Sequence, residues 1–166
     1  METTGVMTGF YISHNSTIGI QCFALGMLGG VGGILVMLYN AVALGTIFGH
    51  MTTVPQWDNF LTFVTAHGPC ELTAVVLGAA AGARIGFALI ITNGMQRMDS
   101  VRAAAITATP MAFLFLLLFF TAAFIEGFIS PSSLPYEVKV AVATISGTVI
   151  AGYFFVLGGI GSLRSS

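Results

Sequence analysis

Residues Ser16 to Met51 read STIGIQCFALGMLGGVGGILVMLYNAVALGTIFGHM, and no Asp, Glu, Lys or Arg occurs anywhere between Glu2 and Asp58. A membrane-spanning helix needs only about 20 mostly apolar residues. This uncharged run is therefore long enough for more than one membrane element. Gly29-Gly30-Val31-Gly32-Gly33 sits in its middle, and clustered glycine is where a helix most readily breaks or lets another backbone come close. The reading favours one helix over about 16–28 and another over about 34–50, each short for a full span and either broken or strongly tilted.

The rest of the 166-residue chain has the same character, with 56% hydrophobic and 7% charged residues against about 25% charged in soluble domains. A soluble globular domain is excluded. Five basic residues against six acidic ones provide no positive surface for a nucleic acid. Cys22 and Cys70 lie in apolar stretches without metal-type or redox spacing, so buried free thiols are expected. The start, Met1 to His14, has no basic segment leading into an apolar stretch and a small-residue cleavage site. Insertion is expected to rely on the spanning helices.

In lipid every backbone N–H and C=O needs a partner within the protein, so the segments are helices or a closed barrel. The apolar runs are too long for barrel strands and lack period-two alternation. The fold class expected is all-α, a polytopic transmembrane bundle forming a single membrane domain over 1–166. Its first third has glycine-broken or re-entrant helices. Later spans are placed at about 69–92, 104–129 and 136–163. Ser130-Pro131-Ser132-Ser133-Leu134-Pro135 ends the second of these, and Pro135 starts the third. Asn59 to Ala66 is too short to span, and a re-entrant or membrane-dipping course is expected between about Asn40 and Ala66.

Lys and Arg in short loops tend to stay cytoplasmic. Arg97 and Arg102 place the loop at 93–105 inside, and Arg164 does the same for the C-terminus. The 130–136 loop and the segment around Trp57-Asp58 then fall outside, with Lys139 pairing with Glu137 or snorkelling.

Gly78, Gly82 and Gly86 repeat every four residues, as do Gly26 with Gly30, Gly29 with Gly33, and Gly45 with Gly49. Such stripes let helix backbones approach closely. Packing within the chain is their ordinary use, and a seam between copies is the other.

Ionisable residues at membrane depth mark sites by default. The set is His14, His50, His67, Glu71, Arg84 and Glu126, with Asn15 and Asn40 as neutral companions. His67 and Glu71 share a face if the helix begins by His67. Such a pair can bind a divalent metal, hold a proton, or do no more than hydrogen-bond. Zinc would need a further ligand, which His14 or His50 would supply only if the fold brought them near. No metal, cofactor or catalytic residue is assigned from the sequence. A helix starting at Pro69 would point its free N–H groups toward the surroundings of His67. Arg84, thirteen residues past Glu71 and so about 20 Å along a helix, cannot reach it. Glu126 is the partner preferred for Arg84, against snorkelling of Arg84 toward the inner interface. Asn15-Ser16-Thr17 matches the glycosylation pattern but reads better as a helix N-cap.

Three blocks carry a resemblance: Tyr11-Ile12-Ser13-His14-Asn15, Gly26-Met27-Leu28-Gly29-Gly30-Val31-Gly32-Gly33, and Leu38-Tyr39-Asn40-Ala41-Val42-Ala43-Leu44-Gly45. With His67-Gly68-Pro69-Cys70-Glu71 before Gly78-Ala79-Ala80-Ala81-Gly82, the chain resembles the stage II sporulation protein M family from about residue 10 to 163. That family often has Asn-Asn where His14-Asn15 stands and Asn-Gly where Asn40-Ala41 stands. Its members usually carry a further N-terminal membrane helix, so a fragment or a short member is expected. The resemblance implies a bacterial inner-membrane protein. In spore formers the namesake anchors a complex with cell-wall hydrolases. A scaffold for other membrane or envelope proteins is the leading expectation. The alternatives are a small-solute or ion pathway and an intramembrane metal-dependent hydrolase at His67 and Glu71.

Overall fold

The computed structural model describes residues 17–164, with the backbone course alone for 158–164. Its helices are α1 (Thr17–Gly26), α2 (Gly32–Met51), α3 (Trp57–Thr65), α4 (Gly68–Ala88), α5 (Arg97–Phe128) and α6 (Tyr136–Arg164). No strand occurs among the described residues. Helices α2, α4, α5 and α6 are each long and apolar enough to cross a membrane.

The glycine pentad makes a reversal. Gly29 and Gly30 take φ of 69° and 82°, a left-handed region where a side chain costs energy, and the Gly30 N–H donates to the Gly26 carbonyl at 2.9 Å. Past the turn, α2 runs back along α1. A Cβ at Gly32 would collide with the Leu25 carbonyl and one at Gly33 with that of Cys22. Farther out, Thr17 and Gln21 of α1 line one cavity with Val36 and Asn40 of α2. The pentad thus both breaks the helix and lets its two halves touch.

The expected break into two helices is found and α1 is short, but the expectation that the second helix is also short is corrected by α2. Its 20 residues make about 30 Å of helix, enough for a full span. The expected dip between Asn40 and Ala66 also narrows, because α2 continues unbroken to Met51. The short element is α3, whose nine residues measure about 14 Å. Phe60 of α3 meets Phe48 edge to face at 4.9 Å between ring centres, against the last turn of α2.

Helix α4 is the centre of the bundle and α5 its main partner. Ala66, Cys70, Ala74 and Leu77 recur every three or four residues and face Phe115, Leu118, Phe119, Ala122 and Ile125 of α5. Small residues on one helix receive large ones on the other, so the two axes approach closely. On another side, the Gly78, Gly82 and Gly86 stripe accepts α1. A Cβ at Gly82 would strike the Phe23 carbonyl, and one at Gly86 the carbonyl of Gly26. These glycines pack within the chain.

Helix α5 starts at Arg97 rather than near 104, because the polar stretch taken for loop is its first two turns. Asn93 and Gly94, at φ of 51° and 83°, make the actual turn. Asp99 lies in the first turn of α5, where an acid suits the helix dipole. Two ends of the bundle follow. The Gly29–Gly30 turn meets Phe87 and Ile90 at the end that carries Arg84 and Arg97. The start of α4 and the end of α5 meet at the other.

A buried imidazole and two carboxylates where α4 meets α5

Pro69 occupies the first turn of α4, where its missing N–H costs nothing. The chain just before it is held by its own backbone: the Cys70 and Glu71 amides each donate to the His67 carbonyl at 3.1 Å. His67 is 5% exposed. The Phe63 ring lies across it at 5.7 Å between ring centres.

Around that imidazole three elements converge. Its Nε2 lies 3.5 Å from Glu71 Oε2, one helical turn ahead. Its Nδ1 and Ser130 Oγ are hydrogen-bonded at 2.9 Å. Glu126, in the last turns of α5, is 4% exposed. One ligand atom each from His67, Glu71 and Glu126 all lie within 4.8 Å of one another. The Glu71 side chain is 22% exposed, and two carboxylates this close repel one another, a repulsion that a shared proton or a cation relieves.

The end of α5 is itself anchored. The Ile129 and Ser130 amides both donate to the Ile125 carbonyl, at 2.8 and 2.9 Å, closing the helix. Lys139 of α6 reaches under this turn and donates through Nζ to the Ser130 carbonyl at 2.7 Å and to the Ser132 carbonyl at 3.1 Å. An ammonium suits the negative end of the α5 dipole. At 3% exposure Lys139 neither pairs with Glu137 nor snorkels, contrary to expectation.

The other residues singled out from the sequence lie elsewhere. Arg84 donates through Nε to Thr107 Oγ1 at 2.7 Å on an exposed surface, which corrects the expected pairing with Glu126. His50 is exposed at the last turn of α2, so it is not the third group beside His67 and Glu71; Glu126 is. Asn40 donates to the Val36 carbonyl of its own helix at 2.8 Å. It also lines, with Glu71, a cavity of about 440 Å³ whose other walls include Ile18, Met37, Leu44 and Val75. His14, Asn15 and the expected N-cap at Asn15-Ser16-Thr17 lie outside the described residues, Thr17 excepted.

Sequence reasoning missed Ser130 and Lys139. Lys139 was nonetheless signalled as the lone basic residue at its end of the chain's spans, where an unexplained cation invites a search for carbonyl partners.

A family model, stage II sporulation protein M, matches residues 1–131. The match includes His67, Glu71, Glu126 and Ser130 but stops short of α6, whereas the resemblance read from the sequence ran on to about 163. No curated protein and no solved structure matches the chain.

Proposed function

Because the chain belongs to the stage II sporulation protein M family and is a multi-pass integral membrane protein with four span-length helices, we propose that it is a scaffold that organises a membrane or cell-envelope complex. The observation that supports this reading most is on α2. Gly45 and Gly49 repeat the small-residue spacing used inside the bundle, yet a Cβ at either meets nothing within 4 Å. Only Gly33 of α2 is buried. A spanning helix with an unused close-approach stripe suits another transmembrane helix, from a partner or from a second copy. The bacterial inner membrane is the proposed location. The turn before α5 and the end of α6 would face the cytoplasm, in keeping with Arg84, Arg97 and Arg102 gathered at that end.

A photo-crosslinking residue placed at Gly45 or Gly49, in cells of the native host, tests this. A discrete crosslinked species is expected from these positions and not from Val149 on the exposed face of α6. Gly49→Leu should abolish crosslinking from position 45. Equal, diffuse labelling of lipid from all three positions would count against scaffolding through α2.

A further inference from the structure

We propose that His67 Nε2, Glu71 and Glu126 bind one divalent transition-metal ion, zinc being the best match. The inference is independent of the scaffold reading. Its first support is geometric. Two ligands about 2.1 Å from a tetrahedral zinc stand about 3.4 Å apart, and His67 Nε2 stands 3.5 Å from Glu71 Oε2. The whole set lies within 4.8 Å, near the separation that ligands of one shared ion require. The ligands come from two places in the fold: His67 and Glu71 stand one helical turn apart at the start of α4, and Glu126 comes from the end of α5. The packing of α4 on α5 brings the two places together.

Charge is the second support. The two carboxylates bring up to two negative charges into a site where His67 and Glu126 are 5% and 4% exposed. Among the described residues, the neighbouring buried Lys139 donates its ammonium to the Ser130 and Ser132 carbonyls. A dication bound to both carboxylates and a neutral imidazole balances the set.

The orientation of the imidazole is the third. With the proton on Nδ1 donated to Ser130 Oγ, Nε2 turns its lone pair toward Glu71. That outer hydrogen bond is the usual way in which a ligating histidine is fixed. An imidazole in the set selects zinc and its transition-metal neighbours over calcium or magnesium, which prefer all-oxygen sites. Three protein ligands leave a fourth position for water. Glu71 also lines the 440 Å³ cavity between α1, α2 and α4, so the site borders a largely apolar space.

The full chain, purified in detergent, stripped with chelator and desalted after incubation with zinc, tests this by elemental analysis and by cobalt absorption. One zinc per chain and the intense visible bands of tetrahedral cobalt are expected. Glu126→Gln and His67→Ala should weaken zinc by at least tenfold, and Ser130→Ala by roughly tenfold. Arg84→Gln and His50→Ala should leave zinc binding unchanged. If the monodisperse wild-type protein takes up neither metal, or if His50→Ala removes the zinc while Glu126→Gln keeps it, the site is not a metal site. Proton sharing between the carboxylates then takes its place. Monodispersity and an unaltered helical spectrum for Glu126→Gln separate lost binding from lost folding.

Discussion

The Nδ1 of His67 lies 2.9 Å from Ser130 Oγ across 63 residues of chain, and this one hydrogen bond ties the start of α4 to the turn that ends α5. Because the imidazole is buried, removing its partner leaves a polar nitrogen without water to replace it. Ser130→Ala in metal-free protein is expected to lower stability by about 1–3 kcal/mol. Chemical unfolding in a fixed detergent measures this. A change within the error of the method would mean that Ser130 does not hold the ring.

Lys139 offers a similar test from the opposite helix. Its ammonium serves two carbonyls at the end of α5, and Lys139→Met keeps the length of the side chain while removing every donor. Destabilisation of roughly 1–3 kcal/mol is expected, with α6 loosened from the rest. Amide hydrogen exchange at 136–142 should quicken in the variant. A snorkelling lysine would instead give little change in either measurement.

The glycine stripes separate into two kinds. At Gly86 a methyl group meets the Gly26 carbonyl, whereas at Gly45 it meets open space. Gly86→Ala is expected to cost about 1–3 kcal/mol through overpacking. Gly45→Ala should leave the isolated chain as stable or slightly more so, since alanine favours helix by about 1 kcal/mol over glycine. Melting temperatures of the two variants side by side settle the comparison, and equal behaviour would contradict the packing of α1 on α4.

Gly29 tests the hairpin by sign. Its φ of 69° makes Gly29→Ala destabilising by roughly 1–2 kcal/mol, although the nearest neighbour, Ile90, would lie at an ordinary 3.8 Å. In an unbroken helix the same change would stabilise by about 1 kcal/mol. An increase in melting temperature would therefore rule out the reversal at 29–30.

Much of this architecture is legible in the amino acids because the bilayer imposes simple rules. An uncharged run with five residues of which four are glycine at its centre reads as two helices. The i, i+4 spacing of His67 and Glu71 reads as a shared face. What stayed hidden depends on register between helices. Nothing local says that Glu126 of α5 comes level with the first turn of α4. Counting charges assigned it to Arg84, which instead donates to the Thr107 hydroxyl. The polar residues 97–103 looked like loop because helix ends and loops draw on the same residue types. Lys139 looked interfacial because its carbonyl partners belong to a turn whose fold the sequence does not reveal.

The claim on which the site rests is that α4 and α5 place Glu71 and Glu126 together, and a double-mutant cycle measures it directly. Unfolding free energies of wild type, Glu71→Gln, Glu126→Gln and the double variant, taken metal-free in one detergent, give the coupling between the two carboxyls. Groups that share a site are expected to couple by more than about 0.5 kcal/mol, whereas separate sites add to within about 0.3–0.5 kcal/mol. Non-additivity beyond that limit is the result predicted, and strict additivity would contradict the account.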